Sequence, residues 1–168
     1  PENVSVENMQ MLKEVNCNRI AFGIECGNEK FRKDVLSRNI KNETLVKKFE
    51  IISNSGIAFS VNNIIGFPGE TRELIFDTIR FTKNIKGYDA LSVTVFVPYN
   101  GTPLRKVCEE QGLIGDDVII YDMFHSALNM TQLQAREIDG LLRTFPLYVH
   151  FDEKEWDAIK IAEGSSEE

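Results

Sequence analysis

The sequence predicts an α/β fold, a parallel sheet followed by a helical C-terminal extension, and three observations support it. Three short apolar stretches, at 19–24, 58–65 and 90–97, have the composition and bounding residues of buried strands. Segments of helical periodicity separate them, and strand–helix alternation of this kind implies a parallel sheet with right-handed crossovers. Beyond about residue 112 the alternation stops and helix-capping signals take its place.

The elements follow in order. Residues 5–15 carry Met9, Leu12 and Val15 at helical spacing. The first strand (Ile20, Ala21, Phe22, Ile24) lies between Asn18 and Gly27. Asn28 is placed to cap a short helix, and a longer one starts at Asn42 with Leu45, Phe49 and Ile52 on one face and Gly56 as its terminator. After the second strand, Thr71 opens a helix with Ile75, Ile79 and Thr82 on one stripe. The third strand is almost continuously apolar, as a strand covered on both faces should be. Thr102-Pro103 combines a hydroxyl cap with proline at the first helical position, and that helix stops at Gly112. In the extension, Thr131-x-x-Gln134 and Asp152-x-x-Glu155 both match capping boxes. We therefore divide the chain into residues 1–112, the sheet domain, and 113–168, the helical extension, with a polar tail at 164–168 expected to be disordered.

Composition narrows the function. The chain has 168 residues, 42% hydrophobic and 27% charged, enough for one domain with a proper core. Its formal net charge of -7 argues against nucleic acid as the main partner, because phosphate binding wants clustered Lys and Arg. No apolar run approaches the roughly 20 residues a membrane span requires. Cys17, Cys26 and Cys108 are too few and too scattered for a disulfide framework, which points to a cytoplasmic setting. They lack metal-ligand spacing, so no metal site is expected from this chain alone. The first residue is Pro1, and the motifs below lead us to read it as a boundary within a longer protein.

Open α/β sheets bind ligands at the carboxyl ends of their strands. The first strand ends Gly23-Ile24-Glu25-Cys26-Gly27, where a carboxylate can accept two hydrogen bonds from a vicinal diol or, more ordinarily, cap a helix or form an ion pair. The second runs into Asn62-Asn63-Ile64-Ile65-Gly66-Phe67-Pro68-Gly69-Glu70-Thr71. Its glycines allow close backbone approach, and the helix start at Thr71 invites comparison with a phosphate loop, although the Lys-Ser/Thr pair of a P-loop is absent. The third ends Val97-Pro98-Tyr99-Asn100-Gly101-Thr102-Pro103, where Tyr99 can stack on a planar ligand or fill the mouth of a barrel.

Taken together, Gly23-Ile24-Glu25 with Leu36-Ser37-Arg38-Asn39, then Ile64-Ile65-Gly66-Phe67-Pro68-Gly69-Glu70-Thr71, then Val97-Pro98-Tyr99-Asn100-Gly101-Thr102-Pro103-Leu104 resemble the later strands of radical S-adenosylmethionine (SAM) enzymes. The closest subset is the group whose members often carry an N-terminal cobalamin-binding domain. The resemblance implies the second half of a partial (β/α) barrel. It implies that Glu25 holds the ribose hydroxyls of SAM, that Arg38 faces the methionine carboxylate, and that Ile64 and Ile65 lie against the adenine. Val97 would then bond the adenine edge through its backbone, Asn62 reach a polar group of SAM, and Tyr99 lie at the mouth. The family's Cys-x-x-x-Cys-x-x-Cys motif is absent, so the ligands of its [4Fe–4S] cluster are expected outside this chain, and Cys26 alone cannot replace three thiolates.

The resemblance further implies an Fe–S oxidoreductase or methyltransferase, with SAM and the cluster as cofactors and cobalamin open as a third. The substrate would be a small molecule or a peptide, and no membrane partner is expected. The chain by itself is expected to be inactive, to lack the half of the barrel that precedes it, and to dimerise through the strand edge left bare. Two other readings stay open: a non-catalytic α/β interaction module using that edge, and a phosphate-binding protein using the turn at 69–71.

Overall fold

The computed structural model describes residues 1–115 and 122–164. The polar tail expected to be disordered lies, from Ser165 onward, outside the described residues, as does part of the extension, 116–121. The order of elements is α1 (Val6–Glu14), β1 (Arg19–Glu25), α2 (Glu29–Leu36), α3 (Asn42–Ser55), β2 (Ala58–Ile65), α4 (Arg72–Asn84), β3 (Ala90–Val95), α5 (Pro103–Glu110), α6 (Ala135–His150) and α7 (Trp156–Glu163), with a 3-10 turn at Glu153–Glu155 before α7.

Local chemistry sets these boundaries. Ser5, Asn28 and Thr102 each accept a backbone N–H of the first turn of α1, α2 and α5, so the caps read from sequence at Asn28 and Thr102 are in place. Gly56 ends α3 in the left-handed conformation at φ 76°. In the extension the Asp152/Glu155 box forms, but the other expected box does not begin at Thr131. Gln134 caps α6 and pairs reciprocally with Glu137, one turn later than the Thr131 signal suggested.

The three strands form one sheet in the order β1-β2-β3. β1 and β2 are parallel, with Ala21 opposite Ser60 and Gly23 opposite Asn62. Along β2, Asp89 donates to the Phe59 carbonyl (3.0 Å) and Phe96 to the Ile65 carbonyl (2.8 Å), so β3 runs the same way. The third strand stops at Val95, two residues early, and its other side is met by the Met123 carbonyl, which accepts from Val95 N–H at 2.8 Å. It is also less covered than its apolar sequence predicts: Ala90 and Ser92 are exposed.

The chain divides into two compact units. The first comprises Pro1–Asn63 and Phe76–Ser92. Its core gathers Leu45, Phe49 and Ile52 of α3, Phe59 and Val61 of β2, Phe81 and Ile85 from the second segment, and Ile24 of β1. Phe49 stacks on Phe59 at 5.9 Å, and Phe22 meets both rings edge-on. Each such buried side chain contributes about 1.5–3 kcal/mol. β2 alternates strictly, with Phe59, Val61 and Asn63 buried and Ala58, Ser60 and Asn62 half-buried, so small and polar residues share the second face.

The second unit comprises Ile64–Ile75 and Val93–Glu168. Ile138, Leu141, Phe145 and Tyr148 form the buried stripe of α6, and Phe67 packs on Phe96 at 5.0 Å. Arg72 grips Glu163 with both guanidinium nitrogens at 2.7 Å, and the Tyr148 hydroxyl bonds the same carboxylate. Burial and that hydrogen bond push the Tyr148 phenol up.

Candidate functional site

In the first unit, β1 carries Glu25 at its carboxyl end. A register shift between Gly23 and Glu25 breaks the regular pairing there, and Glu25 itself adopts φ 65°, a region costly for a residue with a Cβ. Its side chain folds back over the strand. A Cβ added at Gly23 would sit 2.0 Å from Glu25 Oε1, so the glycine of Gly-Ile-Glu is what makes room for the carboxylate. Burial raises the Glu25 carboxyl above its usual range, with Arg38 opposing.

Arg38 follows α2, whose C-cap Ser37 turns the chain at φ 54°. Its guanidinium donates to the carbonyls of Gly23 (3.2 Å) and Ile24 (3.3 Å), binds Glu2 at 2.8 Å, and lies 3.8 Å from Glu25 Oε1. Burial opposes ionisation of Glu2, but hydrogen bonds from its own backbone and from Arg38 bring it down to about 2. The structure thus joins two of the residues the sequence singled out, Glu25 and Arg38, at one strand end. Asn62, opposite Gly23, is half-buried, while its neighbour Asn63 is turned inward and accepts from Thr82 at 3.3 Å.

Sequence reasoning missed what holds this strand end. Arg32 is fully buried. It donates to the carbonyls of Cys26 (2.7 Å) and Ile40 (2.5 Å) and to Asn42 Oδ1 (2.8 Å). Asn42 in turn donates to the Gly27 carbonyl at 2.8 Å, and Thr78 accepts the Gly27 N–H at 2.9 Å. A Cβ at Gly27 would lie 2.6 Å from the Thr78 Cα and 2.7 Å from the Asp77 carbonyl, so α4 presses directly on this peptide. Cys26 is buried here. Cys108 is buried in α5. Cys17 lies beyond α1 and is only half-buried, because Asn16 breaks the helix at φ 58°.

In the second unit, the turn after β2 is built around a residue not singled out from sequence. Glu70 is fully buried, and its Oε2 accepts the N–H groups of Gly66 (2.6 Å) and Phe67 (3.1 Å). Its Oε1 has no hydrogen-bond partner among the described residues. Burial, against those two backbone bonds, pushes the Glu70 carboxyl up to about 8. The chain's own carboxylate therefore occupies donors a bound phosphate would need, and Thr71 Oγ1 meets the Leu74 N–H at 3.4 Å, which weighs against the phosphate-loop comparison.

Alternation puts Ile64 half-buried on one face of β2 and Ile65 fully buried on the other, so a planar ligand on one side of the sheet meets only one of these side chains. Val97 lies past the end of β3 with its carbonyl accepting from Tyr99 N–H (2.9 Å), and the Tyr99 side chain is exposed. No group of three His, Cys, Asp or Glu among the described residues could hold a metal ion. No described helix is long and apolar enough to cross a membrane.

Each unit keeps its polar and glycine-rich residues at the carboxyl ends of its strand segments, the arrangement of ligand-binding parallel α/β proteins. Residues 1–82 match the model of the Radical SAM superfamily. Over much of its length the chain resembles several curated proteins. Over 143 residues it is 28% identical to the tRNA-2-methylthio-N(6)-dimethylallyladenosine synthase of Clostridioides difficile (strain 630), covering 83% of this chain and 29% of that protein. Over 93 residues it is 31% identical to an uncharacterized methyltransferase of Pyrococcus horikoshii, covering 55% and 20%. Among solved structures, coproporphyrinogen III oxidase (HemN) from Escherichia coli, described as a radical SAM enzyme, superposes with a TM-score of 0.62 at 17% identity, over 89% of this chain and 31% of that one. That likeness bears out the parallel α/β fold. The chain spans less than a third of the length of these relatives.

Proposed function

We propose that the chain supplies one wall of the SAM site of a radical SAM enzyme and is inactive by itself. The observation that carries this reading is Glu25, a half-buried carboxylate held over Gly23 at the end of β1 with Arg38 beside it. A carboxylate so placed accepts two hydroxyl hydrogens of a ribose, and a guanidinium 3.8 Å away suits an amino-acid carboxylate. Asn62, in the same unit, is proposed to reach a polar group of SAM. Bound SAM supplies the radical or the methyl group, while these side chains bind and orient it.

The described residues do not fit the cluster: three thiolates are needed, and Cys17, Cys26 and Cys108 lie apart on a loop, at the end of β1 and in α5. We place its ligands elsewhere in the intact protein. The likeness to a methyltransferase and to methylthio synthases favours one-carbon or methylthio transfer over simple oxidation, and cobalamin is the cofactor to test in that case. With a net charge of -7, the substrate is proposed to be a small molecule or peptide, not tRNA.

β1 is an edge strand, and beside it a groove of about 600 Å³ lined by Met9, Leu12, Val15, Ile20 and Phe22 separates it from α1. We place the remaining barrel against this edge. In the isolated chain the same edge should pair two copies, which light scattering at micromolar concentration checks. The superfamily match disfavours a module with no enzymatic context. In the intact, cluster-loaded protein, Glu25→Ala and Arg38→Ala should each weaken SAM binding by about 1–3 kcal/mol. Unchanged affinity in both would reject the assignment.

A further inference from the structure

We propose that Arg32 is a positioning residue that sets the ligand-binding posture of Glu25, an inference that rests on the SAM reading above. A guanidinium with none of its surface exposed is an expensive choice for a protein interior. Here it is compensated in an unusual way: its partners are two backbone carbonyls and one amide oxygen, with no carboxylate, and its Nε has no partner among the described residues. Burial accordingly lowers the Arg32 pKa. A cation meant only to fill the core would be replaced by an apolar side chain at no loss, so the feature to explain is what its planar fork joins.

It joins two stretches of backbone. One prong takes the carbonyl of Cys26, the residue after Glu25; the other takes the Ile40 carbonyl and Asn42 Oδ1. The segment between α2 and α3 that the second prong anchors is the one that carries Arg38 to the carbonyls of Gly23 and Ile24. Arg32 also accepts the Arg38 N–H through its own carbonyl at 3.2 Å. Glu25 meanwhile sits at φ 65°, a conformation that persists only where the surroundings over-determine it. The constraint on its far side is the Cys26–Gly27 peptide, pinned by Arg32 at its carbonyl and by Thr78 at its N–H, with Asn42 holding the next carbonyl, that of Gly27, and the backbone of α4 against the glycine. Lysine can carry the charge but lacks the rigid fork that bridges both stretches.

The test uses the intact, cluster-loaded protein, with SAM affinity measured by equilibrium dialysis for Arg32→Lys, Glu25→Gln and the double variant. Each single change should weaken SAM binding about tenfold, and the double variant should bind no more weakly than Glu25→Gln, because Arg32 acts through Glu25. A merely structural Arg32 would give losses that multiply, about a hundredfold in the double, and this would overturn the inference. So would full affinity in Arg32→Lys while Glu25→Gln is weakened. Full affinity in Glu25→Gln would instead reject the SAM assignment itself, so the two failures are distinct. Should Arg32→Lys not fold, Asn42→Ala removes one of the second prong's two acceptors, and the same non-multiplying pattern with Glu25→Gln is expected at about threefold.

Discussion

Replacing Glu70 with glutamine should change how the stability of the chain depends on pH. In the folded protein, burial raises this carboxyl from 4.5 to about 8 despite two backbone N–H donors. At about 1.36 kcal/mol per pH unit, this corresponds to a preference for the protonated form of at most about 5 kcal/mol. The folded state therefore holds a proton that the unfolded state releases near 4.5. The stabilisation is complete below that pH, declines as pH rises through the window to about 8, and is gone above it. Glutamine keeps an oxygen for Gly66 and Phe67 and does not titrate, so it imitates the protonated acid. Urea unfolding of both chains at pH 5, 6.5 and 8 isolates the effect, since every other titration cancels in the difference. Glu70→Gln should be near neutral at pH 5 and become relatively more stable by a few kcal/mol at pH 8. A constant difference, or a wild type that gains on the variant as pH rises, would show that the two N–H bonds hold the carboxylate ionised and that burial is not the governing influence.

Three further outcomes follow from close contacts. Gly27→Ala should destabilise the chain by about 1–3 kcal/mol in urea unfolding, because the added methyl meets backbone of α4 that cannot yield. Gly23→Ala meets only the far end of the Glu25 side chain, so its cost should appear chiefly as weaker SAM binding in the intact protein, with the urea midpoint little changed. Glu163→Ala removes the acceptor shared by Arg72 and Tyr148 and should lower stability by about 1–3 kcal/mol, with loss of protection of α7 amides in hydrogen exchange as the local readout.

Most of the scaffold was legible because its signals are local. Asn28, Gly56 and Thr102 act within one turn of their own helices, and the alternation of Phe59, Val61 and Ile65 is a property of one strand. The pairing of Glu25 with Arg38 was reached through a motif resemblance, which stands in for contacts that spacing alone does not encode. What stayed hidden depends on partners distant in sequence or on burial of a polar group. Arg32 follows Phe31 in an ordinary amphipathic helix, and nothing in the periodicity marks it as an interior cation bound to carbonyls at 26 and 40. Glu70 reads as a solvent-facing residue before a helix until its carboxylate is seen folded into its own turn. The shift of the α6 cap from Thr131 to Gln134 has the same origin: several residues can cap, and tertiary packing of Ile138 and Leu141 selects the register.

The interleaving of the two units has a consequence for how the chain is made. A ribosome delivers residues in order, and every segment of the first unit has been delivered once Ser92 is out. The second unit begins earlier, at Ile64, yet the Arg72 side chain must wait 91 residues for Glu163. Its opening segment, Ile64–Ile75, is synthesised between two parts of the first unit and remains without its own unit's helical core until α6 and α7 have emerged. Contacts so distant in sequence form slowly. During synthesis, then, Arg72 waits for its partner long after the Gly66–Glu70 turn can close on its own carboxylate, and an early stop within α7 would strand Arg72 and Tyr148 without their shared carboxylate while leaving every residue of the first unit in place.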